Sequence, residues 1–205
     1  MISRGAGQQL QSLPRVEKTP SGRVAVLVGM RIAGEKIIHH IRCDVPSFYV
    51  GLVYEPTARK ALVSTAYEAR FSAPYCIARA LLDGRLDLDS FDPDKLRDPK
   101  ALAIAGKVTY RVEALPEFPE SFPARVTVTM ADGVQHKSYV GHNLGSARNP
   151  LTSPQLEAKF EACAVRTLGS AGVHALADAI RELPTTPDSE KHAFRSALRG
   201  TLTAN

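Results

Sequence analysis

The stretch Ala124–Val140 limits the possible folds of this chain more than any other part of it. Two runs, Ala124–Met130 and Val134–Val140, flank Ala131-Asp132-Gly133. Asp-Gly readily supplies the positive φ of a tight turn, so the two runs are predicted to pair as a β-hairpin. Hairpin strands cannot be parallel neighbours, which argues against a repeating βαβ architecture.

The flanking pattern is consistent with a segregated fold. Ile37, His39, Ile41, Cys43 and Val45 alternate with Ile38, His40, Arg42 and Asp44, predicting a half-buried strand that Pro46 ends. A loop holding Tyr54, Pro56 and Thr57 follows. Ser72 can cap a helix opening on Ala73-Pro74, with Ile77, Ala78, Leu81 and Leu82 on its apolar face and Gly84 at its end. Asp98-Pro99 starts a shorter helix closed by Gly106, and Val108–Val112 reads as a strand. Ser153-Pro154 opens an amphipathic helix to about Leu168, predicted to turn Leu156, Phe160, Cys163, Ala164 and Leu168 inward. Helices over about Gly172–Leu183 and Asp188–Leu198 complete the series. The expected class is α+β: a small antiparallel sheet with a hairpin, packed by helices, and a helical carboxy terminus. Residues 1–33 read as an irregular or partly helical lead-in, 34–183 as the domain, and 184–205 as a terminal helix and tail.

Several function classes drop out early. No stretch approaches the roughly 18 apolar residues of a membrane span, and the first 22 residues hold no apolar leader core. The three cysteines are scattered, odd in number and without a C-x-x-C pair, which predicts reduced thiols in a cytoplasmic setting. The formal charge of +5 suits an anionic partner, and equally suits an ordinary basic surface. No block of like charges and no basic helix interleaved with aromatics occurs, so nucleic acid is not an expected partner.

Candidate chemistry is sparse. His39 and His40 are neighbours on a strand and point to opposite faces, so they cannot jointly hold a metal; one buried and one exposed histidine is expected, and no metal site. No G-x-S-x-G turn is present, and the glycines of Gly141-His142-Asn143-Leu144-Gly145-Ser146 lack the spacing of a phosphate loop. Cys76 lies at a helix start, which favours a thiolate, but Tyr75 and Ile77 beside it favour a packed structural role. What remains is a constellation of phenols and cations: Tyr54, Tyr75, Arg70 and Arg148, with Lys137 on the hairpin. Guanidinium and phenol together suit binding and protonating a carboxylate, although surface solvation also explains such residues.

Three stretches carry a family resemblance: residues 69–91 (ARFSAPYCIARALLDGRLDLDSF), 96–108 (LRDPKALAIAGKV) and 131–164 (ADGVQHKSYVGHNLGSARNPLTSPQLEAKFEACA). They are similar to the F-S-x-x-Y helix, the following helix and strand entry, and the G-x-x-x-N-P-L turn of the MmgE/PrpD family. The preceding AGEKIIHHIRCDVP resembles that family's first strand. The resemblance implies cofactor-free lyase or isomerase chemistry on small polycarboxylates, in a cleft between a large helical domain and a small α+β domain. It implies catalytic roles for Tyr54 and Tyr75, with Tyr75 either facing the cleft or packing its helix on the sheet. Arg70 and Arg148 are the expected substrate-binding cations, on physical grounds alone. The family's helical domain and the K-P-Y-P segment expected before the first strand find no counterpart here; residues 1–22 stand in their place. The expectation is therefore a substrate-capping domain that needs a helical-domain partner chain, or that self-associates. The alternative is a stand-alone interaction module derived from it.

Overall fold

The computed structural model describes residues 38–182. The lead-in, Ile37 and the helix expected near Asp188 lie outside the described residues. In chain order the elements are β1 (Ile38–Val45), α1 (Thr57–Ala61), α2 (Ala66–Arg70), α3 (Ala73–Asp83), α4 (Pro93–Leu96), α5 (Pro99–Ala105), β2 (Val108–Val112), β3 (Ala124–Met130), β4 (Gln135–Val140) and α6 (Ser153–Glu182). The class is α+β, with helices packed against one sheet.

The sheet order is β2-β1-β3-β4. The hairpin β3–β4 forms with Gly133 at φ 83°, though Val134 belongs to the turn and the second strand starts at Gln135. The sheet is mixed and not wholly antiparallel, because β1 pairs with β2 in parallel. The helical excursion between β1 and β2 carries the chain back to the same end of the sheet, which a parallel pair requires.

One sheet face is apolar. Ile41, Cys43, Val126, Val128 and Met130 are nearly inaccessible and meet Cys76, Ile77 and Ala80 of α3. Strict alternation would have put His39 on that face. A register shift between Ile38 and His40 opposite β3 supplies the extra residue, so Ile38 faces Met130 and the core instead. His39 is exposed and His40 is half-buried, sharing a 2.8 Å hydrogen bond between its Nε2 and Thr109 Oγ1; neither is a core histidine.

The α3 and α5 caps follow the local chemistry of the sequence. Ser72 Oγ accepts from Tyr75 N at 3.0 Å, Pro74 sits in the first turn, and Gly84 ends α3 at φ 68°. Asp98 caps α5 by accepting from Lys100 N at 2.9 Å. On α3, Ile77 and Ala78 are buried as expected, whereas Leu82 is exposed. The segment expected as a loop before Pro56 is a 3-10 turn (Ser47–Tyr49) followed by a π turn (Val50–Tyr54).

The run α6 is two helices joined across a kink at Gly169, whose φ of 64° and ψ of 167° are non-helical, so the expected break after about Leu168 is present. What departs from expectation is its burial. Leu156 and Cys163 are exposed, and of its side chains only Val173 is buried. Arg166 ties α6 to the body through Asp89 and Asp92.

Glu68 joins α1 to α2: Ser64 Oγ donates to it at 2.6 Å and Arg59 at 2.7 Å. These bonds, Ser64's first and then Arg59's, hold its carboxyl down at about 2 from the ordinary 4.5. A folded value below the unfolded one gives stabilisation that is present above pH 4.5 and lost as pH falls towards 2. The melting temperature of the native protein should therefore drop further over that interval than that of Glu68→Gln. An offset between the two proteins that is the same at both ends of the interval would contradict this.

Candidate functional site

The hairpin places two loops side by side. Ala124 pairs with Val140, so residues just before β3 meet residues just after β4. Continuing that register brings Ser121 opposite Asn143, where Ser121 Oγ donates to Asn143 Oδ1 at 3.3 Å. The second loop is braced internally: Gly145 N donates to Asn149 O at 2.7 Å, and Asn149 Nδ2 donates to His142 O at 2.9 Å. Gly145 stands at φ 90°, a conformation that L side chains rarely adopt.

Between the loops lies a recess of about 140 Å³, lined by Glu120, Ser121, His142, Ser146, Ala147 and Arg148. Ser121 is buried, and Ser146 Oγ is buried without a hydrogen-bond partner. Arg148 is 71% exposed and stands 3.7 Å from the equally open Glu120, a pairing that water and salt weaken. A carboxylate could therefore take over the guanidinium and accept from the orphan hydroxyl and the imidazole.

Below the recess, Glu117 accepts from Tyr139 Oη, which holds its carboxyl below the usual range. Burial first, then this bond, pushes the Tyr139 phenol up to about 12. A Cβ at residue 141 would collide with the Glu117 carboxylate, so Gly141 is what allows Glu117 to approach the loop.

The four residues expected from sequence do not form one site. Tyr54 is 6% exposed, its ring 5.3 Å from that of Tyr110, and burial holds its phenol well above the ordinary value. The neighbouring Cys43 thiol is pushed up to about 12, also by burial. Tyr75 is fully buried and donates to Ser90 O at 2.7 Å; burial pushes its phenol up to about 12. Arg70 is exposed and lies 5.6 Å over the ring of Phe91, which also packs near Tyr75. Arg148 alone lines the recess. Cys76 is buried with its thiol donating to Ala69 O at 3.4 Å.

His142, Ser121, Ser146 and Glu120 were not singled out from sequence. The signal was available in the hairpin register, which aligns the loops at its open end. Among the described residues, no group of three or more His, Cys, Asp or Glu could hold a metal ion, and no helix is long and apolar enough to cross a membrane.

The model of the MmgE/PrpD C-terminal domain matches residues 30–184. Cis-aconitate decarboxylase of Mus musculus is 29% identical over 125 residues, covering 60% of this chain and 25% of that protein. Cis-aconitate decarboxylase of Homo sapiens is 30% identical over 124 residues, covering 60% and 26%. The chain thus spans about a quarter of the length of these curated relatives.

Proposed function

We propose that this chain, which belongs to the MmgE/PrpD family as its C-terminal domain, forms one wall of a cleft for a small polycarboxylate. The recess at Arg148 carries the reading. At about 140 Å³ it is smaller than the roughly 300 Å³ or more of pockets that enclose a small molecule. It can seat one carboxylate end of a substrate, leaving the reacting carbon to face another polypeptide. Arg148 grips that carboxylate, while Ser146 and His142 orient it.

In decarboxylation the bond to CO₂ breaks, its electron pair stays on the adjacent carbon, and a proton takes the vacated place. An acid and a charge-stabilising cation are needed at that carbon. In this reading a helical domain supplies them, and the isolated chain catalyses nothing. The same reading places the protein in the cytoplasm, where Cys43, Cys76 and Cys163 stay reduced.

The test adds the helical part of mouse cis-aconitate decarboxylase to this chain and measures CO₂ release from cis-aconitate. Turnover is expected, with Arg148→Ala lowering kcat/KM by about tenfold or more, the effect of one charge-assisted contact. A complemented protein that neither binds nor turns over any tricarboxylate would overturn the reading.

A further inference from the structure

The sheet face opposite the helices is crossed by cations. The register puts Arg42 between Thr109 and Thr127, with Lys137 beyond Thr127. The next row reads Arg111, Asp44, Arg125, Tyr139. Asp44 is fully buried beneath the guanidiniums, with Arg111 Nε at 3.0 Å and Arg42 Nε at 3.3 Å, so its charge is spent internally. Glu113 accepts from Arg111 at 2.6 Å and from Arg125 at 2.7 Å. Three arginines therefore share two carboxylates. Lys137 is exposed, with no ion pair among the described residues.

At the centre of this face Arg42 and Thr127 are direct cross-strand neighbours, and Asp44 holds Arg42 Nε at 3.3 Å and Arg125 at 3.7 Å from beneath. The outward surface is therefore left to the half-exposed guanidiniums and to Lys137.

We propose that this face docks an acidic polypeptide segment. Charge complementarity selects the partner: rows are about 7 Å apart along the strands, and cations on alternate strands about 10 Å apart, a spacing that side-chain carboxylates of an extended segment can match. Nucleic acid fits less well. The one aromatic ring here, Tyr139, is already covered by the Arg125 guanidinium 5.4 Å away and bound to Glu117, leaving nothing for bases to stack on. Lipid headgroups are disfavoured because the rows hold no apolar side chain to enter a bilayer.

The experiment is fluorescence anisotropy of the full chain with a labelled decaglutamate peptide in low and in physiological salt. Binding that weakens with salt is expected, and Arg42→Gln with Lys137→Gln should reduce it about tenfold. The control pair Lys100→Gln with Lys159→Gln makes the same change in net charge on α5 and α6, and should change binding less than about twofold. Lys137→Gln alone, at an exposed edge-strand position, gives a reading should the Arg42 change unfold the protein. Equal losses in the two pairs would reduce the effect to net charge and overturn the proposal. Absence of peptide binding, or tighter binding of a ten-nucleotide oligo(dT), would overturn it as well. Arg148→Ala should leave peptide binding unchanged, which separates this face from the recess.

Discussion

Replacing Arg79 with alanine is expected to lower the unfolding free energy by about 3–5 kcal/mol, read from urea denaturation. The Arg79 side chain is 1% exposed in the middle of α3. Its guanidinium donates to Asp83 at 2.5 Å and to Asp98 at 2.6 Å. Asp98 is also the cap of α5, so a single residue joins two helices that pack on each other. Truncation removes the buried stem, leaves two carboxylates facing each other, and weakens the α5 start. Arg79→Met keeps most of the buried stem's packing while losing the guanidinium and its hydrogen bonds to Asp83 and Asp98, so it should cost less than alanine. A loss below about 1 kcal/mol for Arg79→Ala would mean that the surrounding helices close over the gap or water replaces the guanidinium.

Tyr75→Ala is expected to cost about 3–5 kcal/mol, the range for removing a buried aromatic side chain. Tyr75 is fully buried between α3 and the turn at Ser90, with the Phe91 ring 6.3 Å away. Tyr75→Phe deletes only the hydroxyl and leaves Ser90 O without that donor, a loss of about 1–2 kcal/mol. The pair of variants also bears on the two roles open to this phenol. If Tyr75→Phe melts close to the native protein yet abolishes turnover in the complemented enzyme, the hydroxyl acts on substrate. Parallel losses of stability and turnover indicate packing.

The features legible in sequence were those set by neighbours along the chain. Ser72 and Pro74, Asp98 and Pro99, and Gly84 mark helix ends because a cap needs only the next three backbone groups. The hairpin was legible because Asp132-Gly133 fixes the turn, and the turn fixes the pairing. The family resemblance rested on the same local patterns, and it extends over residues 30–184.

What the sequence could not decide were the relations between segments far apart in it. The register shift at His39 depends on which residue of β3 lies opposite, so alternation alone put that histidine on the wrong face. The parallel alignment of β1 and β2 depends on where the intervening helices leave the chain. Leu156 and Cys163 have the spacing of a buried helix face, but spacing describes a stripe and not whether anything lies against it. Tyr54 had the look of a loop phenol, yet a π turn folds it onto Tyr110. The recess and the cationic sheet face arise in the same way. Arg148 comes to line one recess with Ser121, and Arg42 to share one row with Lys137, only after strand pairing has aligned them. Local backbone chemistry sets where elements begin and end, whereas burial and charge clustering are properties of their packing.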